Sequence, residues 1–122
     1  MQHLRKRADF LATAGGVKVP SAGFVLQARE RSDPGPARVG FTVSRKVGNA
    51  VERNRVRRRL RALVRLNAER ALRSGHDYVL VGRRAALSAG FSDLAADYDR
   101  ALSRIHSKRR EPTSQGRLTR DP

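Results

Sequence analysis

Between Ala50 and Arg65 the chain reads AVERNRVRRRLRALVR, and this stretch limits the fold more than any other. At 100° per residue, Val56, Leu60, Leu63, Val64, Asn67 and Ala71 fall within roughly a quarter of the circumference. That is a core face. Asn54, Arg57, Arg58, Arg61 and Arg65 occupy a separate arc, and Arg55 and Arg59 flank the core on the other side. The pattern predicts a helix over 51–72 with one side on a core and the other open. Like charges at i,i+4, as in Arg57–Arg61–Arg65, cost about 0.2–0.5 kcal/mol per pair. Burial of two leucines and two valines returns roughly 1.5–3 kcal/mol each. Packing therefore decides, and the helix forms without a partner.

A solvated helix face usually mixes signs. Here no acidic residue occurs from Arg53 to Arg65. The imbalance extends to the whole chain, whose 27 basic and 11 acidic residues give a net charge of +16. A small domain with that charge repels itself and calls for a polyanion, nucleic acid ahead of an anionic membrane surface. Arginine predominates over lysine, which suits bidentate phosphate contacts and stacking on bases. Codon bias in a GC-rich genome would account for that choice but not for the clustering. The preceding SRKVGNAV adds Arg45 and Lys46 at a strand-to-helix junction. Gly48-Asn49 there permits positive φ, and the free N–H groups of a helix start bind anions.

Several function classes are excluded or disfavoured. The chain has no cysteine, hence no disulfide or thiolate metal site. No apolar run approaches the roughly 20 residues of a membrane span. The basic start MQHLRKRADF is not followed by an apolar signal core, so a cytoplasmic protein with no membrane partner is expected. The carboxylates are scattered, and Asp93 and Asp97, neighbours on one helix, read as surface groups. His3, His76 and His106 lack ligand spacing and also read as surface residues. A protein nuclease needs clustered carboxylates or a histidine acid–base pair. No catalytic residue and no metal ligand is assigned.

The 122 residues fit one domain with an aliphatic core. Residues 1–6 read as a mobile basic arm, and 7–14 as a short helix stopped by Gly15-Gly16. Residues 22–30 alternate, with Phe24, Leu26 and Ala28 opposite Val25, Gln27 and Arg29. ERSDPGPA is a turn. RVGFTVS, 38–44, alternates cleanly and reads as an antiparallel strand buried on one side. Its polar face of Arg38, Gly40, Thr42 and Ser44 is a candidate binding surface. Residues 77–83 form a short apolar strand. Residues 91–105 form a helix, with Ser92 as N-cap and Phe91, Leu94, Tyr98, Ala101, Leu102 and Ile105 on one face. The domain spans 1–106, and 107–122 reads as a disordered basic tail.

The segment RVGFTVSRKVGNAVERNRVRRRLRALVR closely resembles the signature region of the bacterial ribonuclease P protein subunit. KRADF and DYVLVGRRAAL resemble that family's opening and last strand, so the likeness covers about residues 4–106. The resemblance implies an α+β sandwich of αβββαβα order, with one mostly antiparallel sheet packed on helices and a left-handed βαβ crossover. It implies a subunit that binds ribonuclease P RNA and the 5′ leader of precursor tRNA, one protein per catalytic RNA. The RNA, with magnesium ions, removes the leader, and the protein alone binds no cofactor.

Arg53, Asn54 and Arg55 match the family's Arg-Asn-Arg, and Arg57, Arg58 and Arg61 its further basic helix positions. Arg45, Lys46 and Asn49 match its turn. With Arg65 from the same arc, these are the candidate contacts to the catalytic RNA. Phe10 matches the aromatic that lines the leader cleft, although a lone Phe in a short helix also suits a core. Gln27, Arg38, Thr42 and Ser44 complete the candidate leader site. The chain departs from the family where Ala14 and Gln27 stand in place of cleft aromatics. Competing readings are a structural RNA-binding protein of ribosomal type and a non-specific DNA-binding protein.

Overall fold

The computed structural model describes residues 2–67 and 72–110. Its elements are β1 (Gln2–His3), α1 (Arg7–Ala14), β2 (Val17–Pro20), β3 (Phe24–Glu30), β4 (Arg38–Val43), α2 (Ala50–Asn67), β5 (His76–Gly82) and α3 (Phe91–Arg110). Short 3-10 turns at Arg45–Val47 and Arg84–Leu87 lead into α2 and away from β5. The five strands form one sheet in the order β1-β4-β5-β3-β2. This is the αβββαβα order with a two-residue strand placed before it.

The sheet is evenly mixed where a mostly antiparallel one is expected. β2 pairs with β3, and β3 with β5, in antiparallel fashion. β4 runs parallel to both β1 and β5, not antiparallel as its alternation suggests. Alternation reports which face is buried and is silent on direction. Here α2 carries the chain back along the sheet, so β5 starts from the same end as β4. The basic arm is also not free. Gln2 and His3 pair with Arg38 and Val39, and Leu4 is buried beside them.

Register and alternation divide the sheet into two faces. Phe24, Gly82 and Val43 lie in one cross-strand row. Phe24 meets the Tyr98 ring of α3 edge-on at 6.4 Å. A Cβ on Gly82 would stand 2.6 Å from Val56 and 3.3 Å from Leu60 of α2, so the absence of a side chain lets helix and sheet approach. Hence α2 and α3 cover this face and enclose the main core. Val56, Leu60, Leu63 and Val64 are all buried in it, as are Leu94, Tyr98, Ala101, Leu102 and Ile105. Helix α1 packs on the opposite face against β3 and β5. It ends where Gly16 passes the Ala28 carbonyl, so closely that a Cβ would fall 2.2 Å from that oxygen.

Other boundaries shift for identifiable reasons. α3 begins at Phe91, and the Leu94 N–H bonds to the Gly90 carbonyl, so Ser92 lies inside the first turn and is not the cap. The helix runs past Ser107 to Arg110, beyond the point where a tail is expected. The rest of that segment and residues 68–71, Ala71 among them, of the helix expected over 51–72 lie outside the described residues, while Leu72 stands in a bend and not in a helix. His106 is buried rather than on the surface, its Nε2 2.8 Å from the Tyr78 hydroxyl. The Tyr78 hydroxyl also accepts from the Arg73 N–H at 3.0 Å, which ties α3 to the start of β5.

Candidate nucleic-acid interface

The arginine arc forms as the wheel predicts. Asn54, Arg58, Arg61 and Arg65 are exposed, and Arg57 is half-buried. Arg57 donates to the Asn54 amide oxygen at 3.0 Å. The Arg61 guanidinium lies over the Phe41 ring of β4, 5.7 Å from its centroid. This cation–π contact fixes one arginine of the arc against the sheet. Arg59 does different work, donating to the carbonyls of Leu87 and Ala89 and so pinning α2 to the entry of α3.

The turn before α2 is held by its own side chains. The Ser44 hydroxyl accepts from the Lys46 N–H at 3.3 Å. Asn49 and Glu52 form a reciprocal capping box. The Asn49 side chain accepts from the Glu52 N–H at 2.9 Å, and the Glu52 carboxylate accepts from the Asn49 N–H at 3.0 Å. So at least one donor of the helix start, read from sequence as an open anion site, is already capped. Gly48, with φ of 155°, makes room for that carboxylate, since a Cβ would stand 2.1 Å from it. The Asn49 N–H and then Arg84 hold Glu52 below the usual carboxylate range. Arg84 reaches Glu52 at 3.3 Å and also donates to the Val47 carbonyl. Arg53 donates to the Gly48 carbonyl at 2.9 Å. Asn49 and Arg53 are therefore structural groups as well as candidate contacts. Arg45 and Lys46 remain exposed beside them.

The second set of residues meets on the α1 face. Register places Arg38, Asp77 and Arg29 in one row, Gly40, Val79 and Gln27 in the next, and Thr42, Val81 and Val25 in a third. Three expected leader-site residues, Gln27, Arg38 and Thr42, thus share one floor. Phe10 overhangs it. A Cβ on Gly40 would lie 2.5 Å from the Phe10 ring, so glycine is what lets the ring settle there. Phe10 is only half-buried, as a cleft wall requires. Ser44 lies past the strand end, at the turn. Ala14 is half-buried at the end of α1 and adds no ring.

The two sets converge at the edge of β4. β1 covers only Arg38 and Val39, and beyond it a cleft of about 400 Å³ opens. Phe10 and Gly40 line it from one side, Phe41, Arg57 and Arg61 from the other.

The floor ends in an ion network that sequence reasoning missed. Asp77 is fully buried. It accepts from Arg38 twice at 2.8 Å, from Arg31 at 2.6 Å and from Arg29 at 3.0 Å. Burial pushes its carboxyl up, but the hydrogen bonds from Arg38, Arg31 and Arg29 outweigh it and bring the pKa down to about 2. Asp9 of α1 joins Arg29 at 3.1 Å and Arg38 at 3.5 Å. Asp33 joins Arg31 at 3.1 Å. An aspartate inside an otherwise apolar strand was the available sign. Among the described residues no group of three or more His, Cys, Asp or Glu is placed to hold a metal ion. No described helix is long and apolar enough to cross a membrane.

Comparison with known proteins bears on the fold and the family. A family model described as Ribonuclease P matches residues 1–106. The ribonuclease P protein component of Gluconacetobacter diazotrophicus is 53% identical over 100 residues, which cover 81% of this chain and 86% of that one. That of Bartonella quintana is 42% identical over 121 residues, covering 93% and 91%. The solved RNase P protein of Thermotoga maritima superposes with a TM-score of 0.71 at 27% identity, covering 86% of this chain and 98% of its own. That of Staphylococcus aureus gives 0.70 at 25% identity, covering 84% and 94%. A family match over residues 1–106, with relatives this similar over most of their length, means that the chain belongs to the ribonuclease P protein family.

Proposed function

We propose that this chain is the protein subunit of ribonuclease P, and that its two residue sets divide the work between two RNAs. Arg45, Lys46, Asn49, Arg53, Asn54, Arg55, Arg57, Arg58, Arg61 and Arg65 dock on the catalytic RNA. Phe10, Gln27, Arg38, Thr42 and Ser44 hold the 5′ leader of precursor tRNA. The observation that carries this reading is the cleft at the β4 edge, where Phe10 stands opposite Arg57 and Arg61. A single strand lying under α1 and an RNA seated on α2 would meet there. The subunit thereby places the leader beside the RNA that cuts it.

The chemistry belongs to the RNA and its magnesium ions. In support, the carboxylates of Asp9, Asp33, Asp77, Glu52 and Asp97 all face arginines, which leaves them poorly placed to gather a cation. Asp77 in particular is enclosed by guanidinium groups. The protein contributes positioning and charge neutralisation instead. One protein serves each catalytic RNA, in the cytoplasm.

Reconstituted cleavage tests the proposal. With cognate RNA and precursor tRNA, adding the protein should lower the magnesium concentration required for leader removal. No change in that requirement would overturn the reading.

A further inference from the structure

α2 carries a second strip that shares only Arg58 with the main arginine arc. Arg55, Arg58, Arg59 and Ala62 are spaced i, i+3, i+4 and i+7, so they form one stripe along the helix. This stripe faces the start of α3, and with Phe91 it lines a groove of about 490 Å³.

The groove's residues have separate characters. Arg59 is committed to the carbonyls of Leu87 and Ala89 and forms a fixed wall. Arg55 and Arg58 are exposed and make no hydrogen bond or ion pair among the described residues. Phe91 packs against the core yet stays half-exposed. It is the outlier of its helix face, because Leu94, Tyr98, Ala101, Leu102 and Ile105 are at most 2% exposed. No carboxylate lines the groove. Glu52, earlier on α2, is engaged with Asn49 and Arg84.

An aromatic side chain anchored in the core, half open, and flanked by two uncommitted guanidinium groups matches one ligand chemistry well. Stacking takes the face of an unpaired base, and the cations take the phosphates on either side of it. A duplex cannot offer such a base without unstacking it. We infer that this groove is a nucleotide subsite in which an unpaired base of the catalytic RNA stacks on Phe91 between Arg55 and Arg58. The inference rests on α2 being the RNA-docking helix and adds a stacking contact to that role.

The chain has no tryptophan, so Phe91→Trp places a single fluorophore in the groove. Titration with cognate ribonuclease P RNA should quench its emission. Phe91→Leu, which keeps an apolar side chain against the core, should bind the RNA about 5- to 100-fold more weakly with an unchanged salt slope. Arg55→Ala with Arg58→Ala should flatten that slope by roughly two units. Unquenched emission from the Phe91→Trp variant when the RNA is bound overturns the subsite and leaves the docking role of α2 standing. So does quenching by an acidic peptide but not by RNA. If the wild-type protein fails to bind the RNA, the docking role fails and the subsite with it. If Phe91→Leu lowers the melting temperature into the assay range, the tryptophan quenching decides alone.

Discussion

Arg38 grips Asp77 with two parallel hydrogen bonds, Nε to Oδ1 and Nη2 to Oδ2, each 2.8 Å long. The carboxylate is fully buried, so this fork is shielded from solvent and salt. It also changes the standing of Arg38 in the leader site. Arg29, Arg31 and Arg38 are matched by Asp9, Asp33 and Asp77. This end of the floor is close to neutral, and Arg38 serves it as a shaped donor more than as a free charge.

Acid should loosen this end first. The folded pKa of Asp77, about 2, lies below the ordinary carboxylate value of 3.8. Its contribution is therefore present above pH 4 and is lost as pH falls toward 2. The difference corresponds to roughly 2 kcal/mol. Asp33 and Glu52 are also held low and act in the same direction. Urea midpoints at pH 7, 4 and 2.5 should drop for the wild type and drop less for Asp77→Asn. That variant should already be about 3 kcal/mol less stable at pH 7, since it leaves partly buried guanidinium groups without their anion. Equal pH profiles for the two proteins would contradict the network.

The arc on α2 should be measurable as a count of charges. Arg57→Ala with Arg61→Ala should weaken binding to the catalytic RNA and flatten the salt dependence by roughly two units. Circular dichroism should show the helix intact, because neither side chain belongs to the core. A slope equal to that of the wild type would mean that these guanidinium groups do not meet phosphate.

Phe10 and Gly40 make a paired test of the cleft. Phe10→Ala should spare binding to the catalytic RNA and weaken precursor tRNA about 5- to 100-fold, with no effect on a leaderless tRNA. Gly40→Ala should push the ring off the floor, since its Cβ would lie 2.5 Å from Phe10. It should then reproduce part of the same loss. Global unfolding of Phe10→Ala would return this residue to the core.

Tyr98 offers a stability test away from the interface. Its ring is buried in the core, and its hydroxyl has no hydrogen-bond partner among the described residues. Burial accordingly holds its pKa above the ordinary tyrosine range. Tyr98→Phe removes that buried oxygen and should leave the melting temperature unchanged or raise it. A loss of more than about 1 kcal/mol would reveal a partner for the hydroxyl.

What could be read in advance follows from the range of each interaction. The core face of α2 and the two faces of β3 depend on local period, and Val56, Leu60, Phe24 and Leu26 were legible for that reason. The capping residues Asn49 and Glu52 are three positions apart, a spacing that sequence carries, although the helix start there also suggests an anion site. The network around Asp77 was not legible, because Arg29 and Arg38 meet it only through strand register and Arg31 reaches it from just past the end of β3. The direction of β4 was hidden for the same reason. His106 lies four residues after Leu102 on the buried side of α3, and that spacing was an available sign. Phe91 falls on the apolar face, as its position in the pattern predicts. Its half-exposure depends on how α2 crosses the start of α3, which no local pattern records.

The position of β5 bears on how the chain is made. β5 sits between β4 and β3, yet it follows both in the chain. A nascent chain ending before His76 has the β2–β3 hairpin and the β1–β4 pair with no strand between them. Each half then presents an open edge, the condition that invites pairing with other chains. The sheet closes only after Gly82 has left the ribosome. By then all of α2 has emerged, so the charged helix is exposed to cellular RNA before the domain beneath it is complete.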